Sequence, residues 1–319
     1  MAKLTNHVQG LSKWLRENAV ELAIIALGLL SLNAIFISKA FRQSSTISPE
    51  TAGQLGSFVG GYVGAIFALT GVVLLFSTLK SQRLAFAQQN FETKYFELIK
   101  MHRENVAEIE VQGSSGRKVF VLLMRELRCA LEIVRAVAKT SHQQLTQQDM
   151  LHVAYYCLFF GVGPNSSRML KMSLSTFNPA FVDAVEKELN KLGTKDEIRE
   201  ERNFGYVPFE GHQSRLGHYY RHLYQMIRYV DGQDLAIDKY EYVKTIRAQL
   251  STHEQALLLV NSLTPMGQDW WRKNLIVKYR MVQNIPNEFF NHSTELDTSK
   301  IFAPGYFEWE ETHRKKSVA

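Results

Sequence analysis

The sequence predicts an all-α protein with a two-helix transmembrane hairpin, a long stalk helix and a cytoplasmic helical bundle domain. Two long apolar segments near the N-terminus predict the hairpin. Apolar residues at helical spacing, set between capping residues and turn glycines, predict the stalk and the bundle. The sequence contains no run of alternating β-forming residues, which argues against a sheet.

The second apolar segment, Thr51–Leu79, gives the strongest signal because it contains no charged residue. About 20 apolar residues are enough to cross the hydrocarbon core as a helix, so we predict a membrane span at residues 54–79. Small residues recur at every fourth position and would share one helical face, where a second helix can approach closely. They are Gly56, Gly60, Gly64 and Ala68. Glycine is also common in membrane helices in general, so this packing face is a hypothesis.

The first apolar segment, residues 19–38, follows a polar and basic cytoplasmic segment at residues 1–18. A secretory signal is the competing interpretation, but the charged lead is long and the apolar run exceeds a typical signal core. We therefore predict a two-span hairpin over residues 19–79. Basic residues flank every span end, and by their count the positive-inside rule favours cytoplasmic termini.

Residues 80–112 predict an amphipathic stalk helix that continues the second span. No proline or glycine occurs between Gly71 and Gly113, so nothing breaks the helix after the membrane. The apolar stripe is made of Leu84, Phe91, Tyr95, Leu98 and Ile109. A stripe of this spacing is typical of a coiled coil and also of a helix that lies on a domain, and both alternatives stay open.

Residues 113–290 predict a cytoplasmic all-helical domain. Thr146 and the pair Asn178-Pro179 are helix-start signals. The segment 194–213 is charged and without periodicity, so we predict an exposed loop there, and we predict a solvated tail over residues 291–319. The chain has a formal net charge of +6, which suits an anionic membrane surface or a nucleic acid and decides between neither. Its two cysteines, Cys129 and Cys157, are expected to be buried free thiols.

The stretch 211–263 concentrates Arg, His and Tyr residues and allows three interpretations. The first is a metal site, because His218 and His222 stand four residues apart on one helical face. A zinc site needs a third ligand, and His212, His253 or Glu254 are available without any of them being fixed. We therefore predict no metal and no cofactor, in keeping with the lack of a glycine-rich phosphate loop in the sequence.

The second interpretation is an RNase of the HEPN kind, in which an arginine precedes a histidine by several residues. Arg215 and His222 have six residues between them, and Arg247 and His253 have five. An imidazole can move the 2′-hydroxyl proton and a guanidinium can hold the scissile phosphate. The third interpretation is structural, with these side chains stacking between helices. An enzyme is therefore not our first expectation.

Two parts of the chain carry a resemblance to a known family. In residues 56–106 a glycine-rich span is followed by a Gln-rich and Phe-rich helix, in which Phe96, Leu98, His102 and Asn105 fit the pattern. In the later stretches GHYYRHLYQMIRYVD and YVKTIRAQLSTHEQALLLVNSL the fitting residues include Tyr220, Arg221, Tyr224, Arg247, Gln249, Ser251, Glu254 and Asn261. With these residues the chain resembles the phage abortive infection proteins of the AbiC-like kind. The chain is also similar to the small membrane-anchored accessory protein of some type VI CRISPR systems, which joins spans to a HEPN-like domain.

This resemblance implies an antiphage protein of the inner membrane. We expect a homo-oligomeric effector whose cytoplasmic domain senses infection and whose membrane part disturbs the envelope. A membrane-tethered HEPN-like RNase and a non-enzymatic scaffold for another defence component are the alternatives. The expected partners are the lipid bilayer, further copies of the chain and a phage-derived trigger or another defence component, and nucleic acid is a lesser possibility.

Overall fold

A computed structural model of the chain describes residues 49–111 and 113–310, together with the single positions 19, 23, 26, 28 and 30. The predicted N-terminal segment 1–18, most of the predicted first span and residues 311–319 lie outside the described residues. The chain divides into two compact units, Met1–Gln89 and Asn90–Ala319. The all-α prediction is confirmed, since the described residues are mostly helical.

The first unit contains helix α1, Pro49–Phe58, a π-helical turn at Val59–Val63, and the beginning of helix α2, Gly64–Glu108. The helical stretch Gly53–Glu108 is long enough to cross a membrane. It also contains a window with a mean hydropathy of 2.1, which is apolar enough for a membrane span. Only 6% of that window is buried. Among the described residues this is the one helix that passes the test, so the hairpin as a whole stays a prediction.

The predicted glycine face of this helix is exposed within the described part of the chain. Gly56, Gly60, Gly64 and Ala68 are all exposed, and nothing lies within 4 Å of a Cβ built at any of the three glycines. The less exposed positions follow a different stripe, made of Leu55, Val59, Val63 and Ile66. The small residues are therefore not used for packing against other described residues.

In the second unit, α2 lies along the helical domain. Its buried residues there are Phe91, Tyr95, Ile99, His102 and Val106, which recur at the spacing of one helical face. Phe91 contacts the rings of Tyr229 and Tyr242. Residues 91–106 of the predicted stalk therefore pack on the domain, as in the second of the two alternatives given for it.

The domain is built from helices of ordinary length joined by short turns. After a two-residue hairpin, β1 Glu110–Val111 and β2 Ser114–Ser115, it contains α3 Arg117–Thr140, α4 Gln147–Phe160, α5 Ser167–Ser173, α6 Pro179–Leu189, α7 Leu192–Glu201, α8 Gln213–Asp231, α9 Lys239–Arg247, α10 Thr252–Ser262, α11 Asp269–Arg272 and α12 Leu275–Lys278. Short 3₁₀ turns lie at Pro265–Gly267 and Thr298–Lys300.

The starts of these helices follow the capping signals in the sequence. The Thr146 side chain accepts the Asp149 N–H while the Asp149 carboxylate accepts the Thr146 N–H, which makes a capping box for α4. Asn178 caps α6, and Pro179 occupies its first position. Cys129 and Cys157 are free and buried, as predicted.

The predicted exposed loop at residues 194–213 is wrong. Its first part belongs to helix α7, and Phe204, Tyr206, Phe209 and His212 in its second part are buried. The charged residues that suggested a loop cover the outer side of α7, whereas the aromatic side chains after it reach the core without a helical or strand period.

The predicted tail at residues 291–319 is wrong over its described part. Leu296, Phe302, Tyr306 and Phe307 are buried in the core of the domain. The Tyr306 hydroxyl donates to the Ile276 carbonyl at 2.9 Å. The 3₁₀ turn at Thr298–Lys300 and the sequence Ala303-Pro304-Gly305 separate these apolar residues, so the sequence shows no period even though the segment packs.

Deleting residues 291–319 should prevent the domain from folding. Burying four large apolar side chains stabilises by roughly 6–12 kcal/mol in all, which is comparable to the whole stability of a domain. Circular dichroism and limited proteolysis of the detergent-solubilised protein would measure the loss. A shorter deletion of residues 311–319 is the control and should melt like the full chain. Equal melting of both truncated proteins would contradict the packing described for residues 291–310.

Candidate functional site

Helix α8 occupies the middle of the region that the sequence singled out. Its buried face comprises Leu216, Tyr219, Tyr220, Leu223, Met226, Ile227 and Val230. Two glycines fix where the helix starts, because Gly161 and Gly211 have φ values of +84° and +92° and their backbones nearly touch. A Cβ on Gly161 would lie 2.6 Å from the carbonyl carbon of Glu210. The His212 N–H then donates to the Phe159 carbonyl at 2.9 Å, which ties α8 to the end of α4.

Arg215 lines a pocket between α2 and α8. Its Nε donates to the Glu110 carbonyl at 2.6 Å, so the guanidinium is held at the pocket by the β1 strand. The pocket has a volume of about 220 Å³. Its lining residues are Asn105, Glu108, Ile109, Ser214, Arg215, His218 and Tyr219.

His222 lies one turn beyond this pocket and is not part of its lining. Its ring stacks on that of His102, with centroids 5.8 Å apart and planes inclined by 10°. Burial and, to a lesser degree, His218 lower the pKa of His222. Arg215 and His222 are separated by two helical turns, about 10 Å along the axis. They therefore do not form one compact catalytic pair within this pocket.

His102 is the most buried histidine of the described residues, at 1% exposure. Its ring contacts Tyr219 and His222. Burial lowers its pKa to about 4, and the neighbouring His222 and Arg117 add to the effect. The imidazole is consequently neutral at physiological pH.

The second predicted pair, Arg247 and His253, is also not assembled into a site. Arg247 is buried and donates to the carbonyls of Tyr279 and Arg280 at 3.0 and 3.2 Å. His253 lies edge-on to the Phe289 ring at 5.3 Å. Arg247 therefore fixes the segment after α12, which is a structural contact.

The described residues contain no ligand set for a metal ion, since no three His, Cys, Asp or Glu side chains among them are placed to hold one. The candidate third ligands are engaged elsewhere. His212 contacts the Glu126 carboxylate at 3.0 Å, and Glu254 caps α10.

Glu254 is the centre of a buried polar network and is completely buried. It forms a capping box with Ser251, whose N–H donates to Oε2 at 2.7 Å. The Tyr219 hydroxyl donates to Oε1 at 3.2 Å, and Arg117 lies 3.7 Å from Oε2. One carboxylate thus joins α3, α8 and α10.

Two other residues of the resemblance take part in neighbouring contacts. Asn261 donates to the Tyr155 hydroxyl at 2.9 Å in the core. The Gln249 side chain accepts from Arg103 at 3.0 Å, and its carbonyl accepts from Arg117 at 2.7 Å. The contacts of Gln249 connect the turn after α9 to both α2 and α3.

The remaining residues of the resemblance lie on α8. Tyr220 is buried among the aromatic side chains and contacts the Tyr219 ring. Tyr224 packs edge-on against Trp270 at 5.3 Å. Arg221 is exposed, and its Nε donates back to the Gly217 carbonyl of the same helix.

Glu126 supplies a second buried carboxylate, which was not predicted from the sequence. It accepts from the Tyr206 hydroxyl at 2.6 Å and from the Phe209 N–H at 2.7 Å, and His212 lies 3.0 Å away. A signal was present, because Glu126 falls on the apolar stripe of α3 between Leu123 and Ala130. A charged residue in such a stripe calls for a buried partner.

Comparison with known proteins supports the resemblance. Residues 211–290 match the family model described as putative phage abortive infection protein. The match covers α8 to α12, including Tyr219 and Glu254, whereas the earlier stretch 56–106 lies outside it. No curated protein and no solved structure matches the chain.

Replacing Glu126 by leucine should destabilise the domain by roughly 3–5 kcal/mol. The change keeps the volume but leaves the Tyr206 hydroxyl and the Phe209 N–H buried without their acceptor. Thermal unfolding of the full-length protein in detergent would measure it. Glu132→Leu on the same helix is the matched control, since its carboxylate forms an exposed pair with Arg202 and should cost under about 1 kcal/mol. Similar losses for the two variants would refute the buried network.

Stability should fall as the pH drops from about 6.5 to about 4. The pKa of His102 is about 4 in the folded protein, against the ordinary histidine value of 6.5, so the unfolded chain binds the proton first and acid favours unfolding. The decrease in the free energy of unfolding that His102 causes approaches roughly 3 kcal/mol at about pH 4. Melting curves of wild type and His102→Phe across this range should show a shallower slope for the variant. His292→Ala, at an exposed position, should follow wild type, and a slope unchanged in His102→Phe would contradict the assignment.

Proposed function

We propose that this protein is a membrane-anchored abortive infection protein that acts in phage defence as a homo-oligomer. The observation that carries the phage-defence part is the family match over residues 211–290. The long apolar helix supports the membrane part, because its length and composition fit a bilayer. In this proposal the chain crosses the bacterial inner membrane twice and has both termini in the cytoplasm.

Large exposed apolar side chains on α2 support contact with lipid. Leu69, Val73 and Phe76 are 68%, 60% and 68% exposed. Soluble proteins rarely leave so long an apolar surface in water, whereas lipid tails would cover it. Lys80 and Arg83 follow directly in the sequence and suit a cytoplasmic boundary.

One contact supports the hairpin. Gly28, in the first apolar segment, is buried, and a Cβ built there would collide with the Phe67 ring of α2. A glycine at such a position allows two helices to approach closely. The first span can therefore pack beside the second at this point.

The glycine face supports self-association. Gly56, Gly60 and Gly64 are exposed and have open space around them among the described residues. In lipid, helix association depends on close packing because burial of apolar surface gains little there. A stripe of small residues left open by one chain is a suitable contact for the same stripe of a second copy.

In the proposed mechanism the cytoplasmic domain responds to a phage-derived trigger or to another defence component, and the oligomeric membrane part then disturbs the envelope. A membrane-tethered RNase is the runner-up and has less support. The spacing of Arg215 and His222 on α8 is the one that the motif itself prescribes, whereas Arg247 of the second pair is buried against two carbonyls.

Gly60→Leu and Gly64→Leu should abolish most of the protection against phage when the protein is expressed in a sensitive bacterium. The added side chains prevent close approach of two helices, so the detergent-extracted protein should also shift toward the 36.6 kDa monomer. Plaque counts and size-exclusion chromatography with light scattering would measure the two effects.

Ala65→Leu provides the control, because it makes a comparable enlargement on another side of the same helix. It should keep both protection and oligomer size. Unchanged protection and size in the glycine variants would refute the oligomer. Recovery of the wild-type protein in the soluble fraction without detergent would refute the membrane anchor.

A further inference from the structure

Facing stripes of α2 and α8 carry an unusual concentration of buried nitrogen atoms without a protein partner. His102 and Asn105 lie one turn apart on α2, and His218 and His222 lie one turn apart on α8. Both ring nitrogens of His102, both ring nitrogens of His222 and the Asn105 amide nitrogen are buried and make no hydrogen bond to a described residue.

Such atoms are costly. A buried polar group without a partner costs about 1–3 kcal/mol, and native proteins leave only a few of them per hundred residues. Five within two adjacent turns of one helix pair need partners from outside the protein. Ordered water or a bound polar ligand would supply these partners and offset the cost.

The chemistry of the pocket beside these atoms favours an oxyanion. The Asn105 amide nitrogen is a donor only, and the Arg215 guanidinium lines the same pocket with its charge. The Ser214 hydroxyl and the His218 imidazole can also donate. Glu108 is the one carboxylate in the lining.

A metal cation fits less well at this place. No three ligating side chains of the described residues are placed to hold an ion. Arg215 at the pocket and Arg117, whose charge acts on His102, would both repel a cation. The Glu254 carboxylate behind Tyr219 is already occupied by the Ser251 N–H and the Tyr219 hydroxyl.

We propose that the pocket between α2 and α8, with Asn105, Arg215 and His218 as the binding residues, binds the phosphate group of a small molecule. The volume of about 220 Å³ accommodates a phosphate together with a part of the molecule that carries it. His102 and His222 lie next to this site but outside its lining, and their buried ring nitrogens are not part of the proposed contacts. The proposal concerns ligand binding alone and does not depend on the membrane anchor or on phage defence.

Isothermal titration of the full-length protein in detergent would test this binding, with inorganic phosphate and adenosine 5′-monophosphate as separate probes. Both should bind to wild type, and tighter binding of the nucleotide would identify a phosphomonoester as the ligand class over free phosphate. Asn105→Asp is the decisive variant because it keeps the shape while replacing a donor by a carboxylate. We expect it to weaken binding by about tenfold or more, the equivalent of one hydrogen bond to a charged group.

His218→Ala should weaken binding as well, and its exposed position argues against a folding defect as the cause. Arg221→Gln is the matched control, since this arginine is exposed on the same helix and bonds only to its own backbone. It should bind like wild type. Circular dichroism would verify that Asn105→Asp keeps its fold.

Three outcomes would overturn the proposal. Wild type that binds neither probe has no phosphate site. Binding that is equally strong in Asn105→Asp and wild type would place the site elsewhere. A titration with zinc chloride that saturates wild type in the absence of phosphate binding would assign these nitrogens to a metal instead.

Discussion

The buried carboxylate of Glu254 is the constraint on which the functional end of the domain depends. A buried charge has to be stabilised by hydrogen-bond donors that the fold supplies. For Glu254 these donors come from three elements: the Ser251 N–H at the start of α10, the Tyr219 hydroxyl on α8 and Arg117 at the start of α3. Tyr219 in turn contacts His102 on α2 and lines the Arg215 pocket. The relative positions of four helices around that pocket are therefore set by one side chain that touches no ligand.

The periodic parts of the domain could be predicted from the sequence because their physics is local. A capping box needs two side chains three residues apart, and both Thr146 and Ser251 have such a partner. The predicted apolar stripe of the stalk included Phe91, Tyr95 and Ile109, which are buried, whereas Leu84 of the same stripe is 58% exposed. The stripe alone left open what it packs against, because a helix that pairs with a copy and one that lies on its own domain need the same spacing.

The segments that were mispredicted owe their structure to distant partners. Residues 204–212 have no period of their own and are ordered by Glu126, more than eighty positions earlier. Residues 296–307 likewise fill a gap between elements formed earlier in the chain. The same holds for the site. The motif spacing correctly placed Arg215 and His222 on one helix. Asn105, which lines the same pocket as Arg215, and His102, which stacks on His222, belong to a helix more than one hundred positions earlier.

The two buried carboxylates and the five unpartnered nitrogens differ in a way that bears on function. Glu126 and Glu254 are each satisfied by two or more donors, so the fold can supply partners where a buried polar group serves stability. The nitrogens of His102, Asn105 and His222 lie within two turns of that second network, and yet they form no hydrogen bond to a described residue. A chain that needed only packing at this point would be more stable with apolar side chains there. Histidine and asparagine on these facing stripes therefore make physical sense as groups that bind an external polar partner, and the family match covers the α8 side of the pocket but not the α2 side.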